Sequence, residues 1–170
     1  MWVYSGSERP PFALAPAPGQ ESVWDYPRPP RLAPDARRVE VIADGVVIAT
    51  TTRALRLLET ASPPSFYLPP QDIDLTRLRA AEGRSVCEWK GAAAYFSVLL
   101  AGVWTVVAWS YPAPAPRYAA LRGYYGFYPG RVACFVDGEG VQPQAGGFYG
   151  GWITAEIVGP CKGRAGSAGW

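Results

Sequence analysis

The chain has 170 residues, 49% of them apolar, and a formal net charge of +2. That length suits one domain with a sizeable core, the apolar share excludes a disordered chain, and so small a charge without a basic run argues against nucleic acid as a partner. Histidine is absent, which excludes His-based acid–base catalysis, Ser-His and Cys-His dyads and every His-containing metal site.

Residues 1–20 read as a flexible or extended arm, broken by Pro10, Pro11, Pro16 and Pro18 and lacking the apolar core of a secretory leader. Residues 21–170 read as a single domain. Trp24 to Pro34 is Pro-rich and extended, with Trp24 and Tyr26 as anchors. Asp44-Gly45 lies between Val39–Ala43 and Val46–Ala49, and Asp-Gly between two β-branched runs signals a hairpin, because its turn needs positive φ. Good helix formers predict a short helix over Thr52–Thr60, stopped by Pro63-Pro64. Phe66-Tyr67-Leu68 reads as a strand, and Asp74 as the cap of a second short helix, Leu75–Ala81. Ser85–Glu88, Ala93–Leu100 and Val103–Trp109 read as strands, the last two joined at Ala101-Gly102. Pro116–Leu121 is a helical turn, Tyr124–Tyr128 and Val132–Val136 a further hairpin, and Phe148–Val158 a final strand or two. The fold class is mainly β, two packed antiparallel sheets with a few short helices; 19 Gly and 18 Pro suit its turns.

The three cysteines, Cys87, Cys134 and Cys161, form no C-x-x-C pair. An odd count without a leader points to reduced thiols, a cytoplasmic setting and no structural zinc. No metal or other cofactor is expected. The longest apolar stretch, Ala92–Ala108, is interrupted by Gly102, so no membrane span is expected.

Two stretches echo each other. Trp24-Asp25-Tyr26-Pro27-Arg28-Pro29 and Trp109-Ser110-Tyr111-Pro112-Ala113-Pro114 share the pattern W-x-Y-P-x-P. Downstream of each, Arg38-Val39 and Arg131-Val132 open apolar runs that end in Asp44-Gly45 and Asp137-Gly138. The echo predicts a duplicated framework, with related hairpins in two sheets and a cleft between lobes.

The residues also carry a family resemblance. Thr52–Thr60, Pro63-Pro64, Tyr67, Cys87-Glu88-Trp89-Lys90-Gly91, Tyr95, Ala108–Pro112 and Phe127-Tyr128, with flanks at 21–30 and 146–170, resemble domain of unknown function 427. The resemblance covers about residues 20–170. It implies a β-rich, tent-like fold akin to methionine sulfoxide reductase B and the drug-binding domain of cereblon, and it carries no proven activity. The family sometimes bears a nucleotidyltransferase label. That chemistry needs paired carboxylates holding metal against a triphosphate, with a Gly-Ser turn upstream. Asp72-Ile73-Asp74 has the spacing, but no glycine turn precedes it, and both aspartates read equally as turn and cap residues.

Cys87-Glu88-Trp89-Lys90-Gly91 is the sharpest local motif. A neighbouring ammonium favours the nucleophilic thiolate, so Cys87 is a candidate nucleophile and Lys90 a candidate anion contact. In a continuous strand the two would face opposite ways; they meet only if the strand ends between them. Glu59, after Leu57-Leu58, is a candidate catalytic carboxylate that, turned inward, needs Lys90 or Arg53 as its cation, and Arg53 is a further candidate ligand contact; the two read equally as ordinary charges on a surface helix. Tyr67, Tyr95, Trp109 and Tyr111 would wall a pocket if their strands adjoin; each alone could equally be core. Pro112 ends the ladder there, placing the segment at a sheet rim. Two readings follow. One is a small-molecule-binding domain with an aromatic-walled cleft, extended in one form to an enzyme acting on an anionic or nucleotide-like ligand. The other is a structural or protein-interaction module whose Pro-rich arm docks a partner. Ligand, reaction and oligomeric state stay open at this stage.

Overall fold

The computed structural model describes residues 2–170. The strands are β1 (Glu21–Ser22), β2 (Arg31–Asp35), β3 (Val39–Ala43), β4 (Val46–Thr51), β5 (Ala54–Leu58) and β6 (Ser65–Leu68). They continue with β7 (Arg79–Cys87), β8 (Gly91–Leu100), β9 (Val103–Ser110), β10 (Tyr125–Phe127) and β11 (Ala133–Val136). Four two-residue strands follow: β12 (Glu139–Gly140), β13 (Gln142–Pro143), β14 (Trp152–Ile153) and β15 (Ile157–Val158). Helical structure among the described residues is confined to short 3-10 turns, the longest being Pro116–Leu121.

A seven-stranded antiparallel sheet runs in the order β2-β5-β6-β10-β9-β8-β7, and a four-stranded one in the order β12-β11-β3-β4. Their facing sides make the main core. Val39, Val41 and Ile48 from the smaller sheet meet Phe66, Leu68, Val107 and Phe127 from the larger. Alternation sends other side chains of the larger sheet to its opposite face, where Leu57, Tyr67, Ala93 and Trp109 pack with Tyr111, Tyr118 and Leu121. This second face is roofed by the segment that includes the 3-10 turn Pro116–Leu121. Tyr118 ties that roof down by donating to the Pro30 carbonyl at 3.0 Å. The chain is mainly β and tent-like, as expected.

The segment Thr52–Thr60 is a strand rather than a helix. Ala, Leu and Glu favour helices only weakly, and β5 instead finds ladder partners on both sides, in β2 and β6. The second expected helix shrinks to one 3-10 turn, Leu75–Arg77, capped by Asp74, which accepts from Thr76 N; β7 begins at Arg79. Tyr125–Phe127 and Ala133–Val136 do not form a hairpin. β10 inserts between β6 and β9, whereas β11 joins the other sheet.

The echo is half structural. Asp44-Gly45 and Asp137-Gly138 take nearly identical left-handed turns, with φ of 48° and 74° against 47° and 80°. They close the hairpins β3-β4 and β11-β12. These hairpins lie side by side in one sheet, not in two: β3 and β11 pair antiparallel with Val41 opposite Cys134. The W-x-Y-P segments are not equivalent. Trp24 sits in a 3-10 turn and is fully buried with Val23, Tyr26, Leu58 and Ala61, while Trp109 is a strand residue on the roofed face.

Residues 2–20 contain no strand or helix and lie against this third cluster. Tyr4 and Phe12 pack edge-on to Trp24, Phe12 stacks on Trp170, and Leu14 N donates to the Gly159 carbonyl. No helix among the described residues is long and apolar enough to cross a membrane.

Candidate functional site

The roofed face of the seven-stranded sheet holds a cavity of about 120 Å³. Its floor follows strand alternation. β6 contributes Ser65 and Tyr67, β7 Ser85 and Cys87, and β8 Ala93 and Tyr95; Trp109 and Tyr111 come from β9 and the residue after it. Tyr67, Gly126, Trp109 and Tyr95 stand opposite one another along a row that crosses β6, β10, β9 and β8.

Gly126 shapes that row. It has no side chain, and a Cβ built there would lie within the Trp109 indole. The indole therefore crosses over β10, and its Nε1 donates to Tyr67 Oη at 3.2 Å. A Cβ built on Gly150 would likewise clash with the same ring. Trp109 therefore packs against two glycines, with Tyr128 tilted against it at 4.7 Å between ring centroids. At the other end of the row, Tyr95 Oη and Ser85 Oγ share a hydrogen bond of 2.6 Å.

Lys90 enters from the β7–β8 hairpin. The strand ends at Cys87, which pairs with Gly91 across the turn, and Gly91 takes a φ of 98° that a side chain would resist. Ala115 N donates to the Lys90 carbonyl at 3.0 Å and fixes the turn against the roof. The Lys90 side chain folds back over the strand face. Its Nζ lies 5.3 Å from the Tyr111 ring centroid, and Lys90 lines the same cavity as Cys87. Only 6% of the residue is exposed. Among the described residues no carboxylate forms an ion pair with it.

Burial works against the Lys90 ammonium, but Tyr67, Cys87 and Glu59 act the other way and hold its pKa above the ordinary lysine value. Burial also raises the phenols of Tyr67 and Tyr111, and that of Tyr128 to about 12. Near neutral pH the cavity therefore presents one ammonium and several neutral phenols able to donate hydrogen bonds. That combination is electrostatically complementary to an anion. It offers no set of metal ligands: no group of three His, Cys, Asp or Glu that could hold a metal ion occurs among the described residues.

Six residues singled out from the sequence, Cys87, Lys90, Tyr67, Tyr95, Trp109 and Tyr111, converge on this cavity. Glu59 and Arg53 do not. Glu59 sits behind the hairpin, where its Oε1 accepts from Trp89 Nε1 at 3.3 Å and pairs with Arg28 Nε at 3.4 Å. Successive residues of the turn point opposite ways, so Trp89 meets Glu59 while Lys90 meets the cavity. Arg53 is a surface residue whose guanidinium grips Asp72, which also accepts from Thr51 Oγ1 at 2.6 Å. The Asp72/Asp74 pair is thereby occupied as turn and cap.

Sequence reasoning did not name Ser65, Ser85, Ala93 or the rim formed by Tyr128 and Phe148–Gly150. Stepping by two from Tyr67, Cys87 and Tyr95 finds the first three. Nothing local marks the 148–150 loop, which reaches the site only through tertiary packing. Lys162 lies behind that rim, 5.7 Å from the Tyr149 ring, and donates to the Trp170 carbonyl rather than closing the cavity.

No curated protein matches the sequence. The profile of a family described as domain of unknown function DUF427 matches residues 31–138, a span that includes every strand-borne residue of the cavity. This match covers well over half of the 170 residues, and the chain belongs to the DUF427 family.

Proposed function

We propose that this protein binds a small anionic compound in the aromatic-walled cavity, with the Lys90 ammonium as the charge contact. The observation that carries the reading is a cation with 6% exposure that lines a cavity and, among the described residues, has no carboxylate partner. A buried charge is costly unless something pairs with it, and a bound anion would do so. The tyrosines add neutral donors, and the aromatic walls suit a small, partly apolar body. A cavity of about 120 Å³ falls below the roughly 300–1,000 Å³ that takes drug-sized ligands, so the ligand has on the order of a dozen heavy atoms or fewer. A whole nucleotide is larger than that. Three free thiols suit a reducing, cytoplasmic setting.

Thermal denaturation tests the reading. Benzoate should raise the melting temperature by mass action, and the neutral isostere benzamide should not. The benzoate effect should vanish in Lys90→Met. An equal response to both compounds, or a benzoate shift that persists in Lys90→Met, would refute the proposal.

A further inference from the structure

We propose that Cys87 is a nucleophile toward small carboxylates whose carbon next to the carboxylate is electrophilic, with Lys90 as their anchor. This rests on the anion-binding reading above and adds a covalent step to it.

Two independent features support it. Cys87 is the cysteine that lines the cavity, and it is partly exposed there. Cys134 lies in the core between the sheets, and burial pushes its thiol far up; burial also raises Cys161, to about 11. The second feature is Lys90, almost fully buried, without a carboxylate, and directed into the same space. Because the ammonium and the thiol line one cavity of about 120 Å³, an anion held by one places only its nearest carbons within reach of the other. That proximity defines the ligand class. The electrophilic centre must sit one bond from the anionic group, as in a 2-oxo acid or a carboxylate with a leaving group on its α-carbon.

The chemistry balances without a co-reactant. With a 2-oxo acid, Cys87 Sγ forms a bond to the carbonyl carbon, the carbonyl π pair moves onto oxygen, and that oxygen takes up the thiol proton. The product is a hemithioketal, and nothing is oxidised or expelled. With an α-halo acid, Sγ bonds to the α-carbon, halide departs with the bonding pair, and the thiol proton goes to solvent.

Iodoacetate and iodoacetamide separate the idea from ordinary thiol reactivity. They share the reacting carbon and the leaving group and differ in charge. Toward an unassisted thiolate the neutral amide is the faster reagent, and Cys134 and Cys161 in the urea-unfolded chain supply that reference. In the native protein, peptide mapping should show Cys87 alkylated faster by iodoacetate, by roughly 10-fold or more as local charge focusing allows. Lys90→Met should reverse the order, and Lys90→Arg should keep the preference for the anion. A faster amide at native Cys87, a preference that survives Lys90→Met, or resistance of Cys87 to both reagents would each overturn the proposal. Benzoate melting shifts in Cys87→Ala keep the two readings apart. If they persist while native Cys87 resists both reagents, the nucleophile fails and the binding site stands.

Discussion

Replacing Gly126 by Ala probes how the cavity is shaped. Gly126 is the middle residue of β10 and is not in the left-handed region, so an alanine backbone fits there. The obstacle is the Trp109 indole, which already occupies the position of the new Cβ. The ring has little room to move, because Gly150 also packs so closely on it that a Cβ there would clash. Overpacking of this kind costs about 1–3 kcal/mol. Moving the ring also breaks the Nε1 bond to Tyr67 Oη, a fully buried acceptor, for a further ~0.5–1.5 kcal/mol. Against this, Gly→Ala in a strand returns roughly 0.5–1 kcal/mol of backbone entropy. The net expectation is a loss of about 0.5–4 kcal/mol. The decisive measurement is a double-mutant cycle with Trp109→Phe, read by urea unfolding followed by far-ultraviolet circular dichroism. The ring atoms that clash belong to the indole's benzenoid half, which Phe does not carry to the same place. In that background Gly126→Ala should be neutral or mildly stabilising, giving a coupling of about 1.5–4.5 kcal/mol. Equal costs in both backgrounds would show that Gly126 does not act through Trp109.

Three further expectations follow from other residues. Lys90→Met leaves no carboxylate orphaned, because Glu59 is already held by Arg28 and Trp89; it should change stability by under about 1 kcal/mol or raise it, whereas a loss of ~3 kcal/mol or more, measured by urea unfolding, would reveal a buried ion pair. Burial acts to raise the Asp35 carboxyl, but Arg37 overcomes it and depresses the pKa, as Arg56 does for Glu21. A depressed carboxyl contributes stability that is present above its unfolded value of about 4 and is lost as pH falls through the folded value. The urea midpoint should therefore drop below about pH 4, and Asp35→Asn should flatten that drop; an unaltered acid limb would exclude Asp35 as its source. Asp44→Ala loses both a tolerated left-handed residue and the 2.6 Å bond from Ala101 N to Oδ2, and should cost about 1–2 kcal/mol by thermal or urea unfolding, while Asp44→Asn should cost much less.

The features legible in the sequence were those set by local chemistry. Asp44-Gly45, Ala101-Gly102 and Pro116–Leu121 became the turns their residues dictate. The convergence of Tyr67, Tyr95, Trp109 and Tyr111 followed from period-2 alternation once their strands joined one sheet. Ala54–Leu58 was illegible for the opposite reason: its composition suits a helix, and only the two flanking strands make it a strand. Glu59 was misplaced because Arg28, 31 positions away, could not be anticipated as its partner. The separation of Tyr125–Phe127 from Ala133–Val136 was equally hidden, since neighbours in sequence usually pair in space.

The position of β10 carries a consequence for how the molecule assembles. In the seven-stranded sheet β7, β8 and β9 form consecutive hairpins, and β5 pairs with both β2 and β6, all within a short stretch of chain. Each half can form from nearby residues. The halves share no ladder until β10, three residues long, slots between β6 and β9. Tyr67 belongs to one half and Cys87, Lys90 and Trp109 to the other, so neither half contains a usable binding surface. The seam strand completes the sheet and the cavity in the same event, and an unfinished chain has no enclosed cavity.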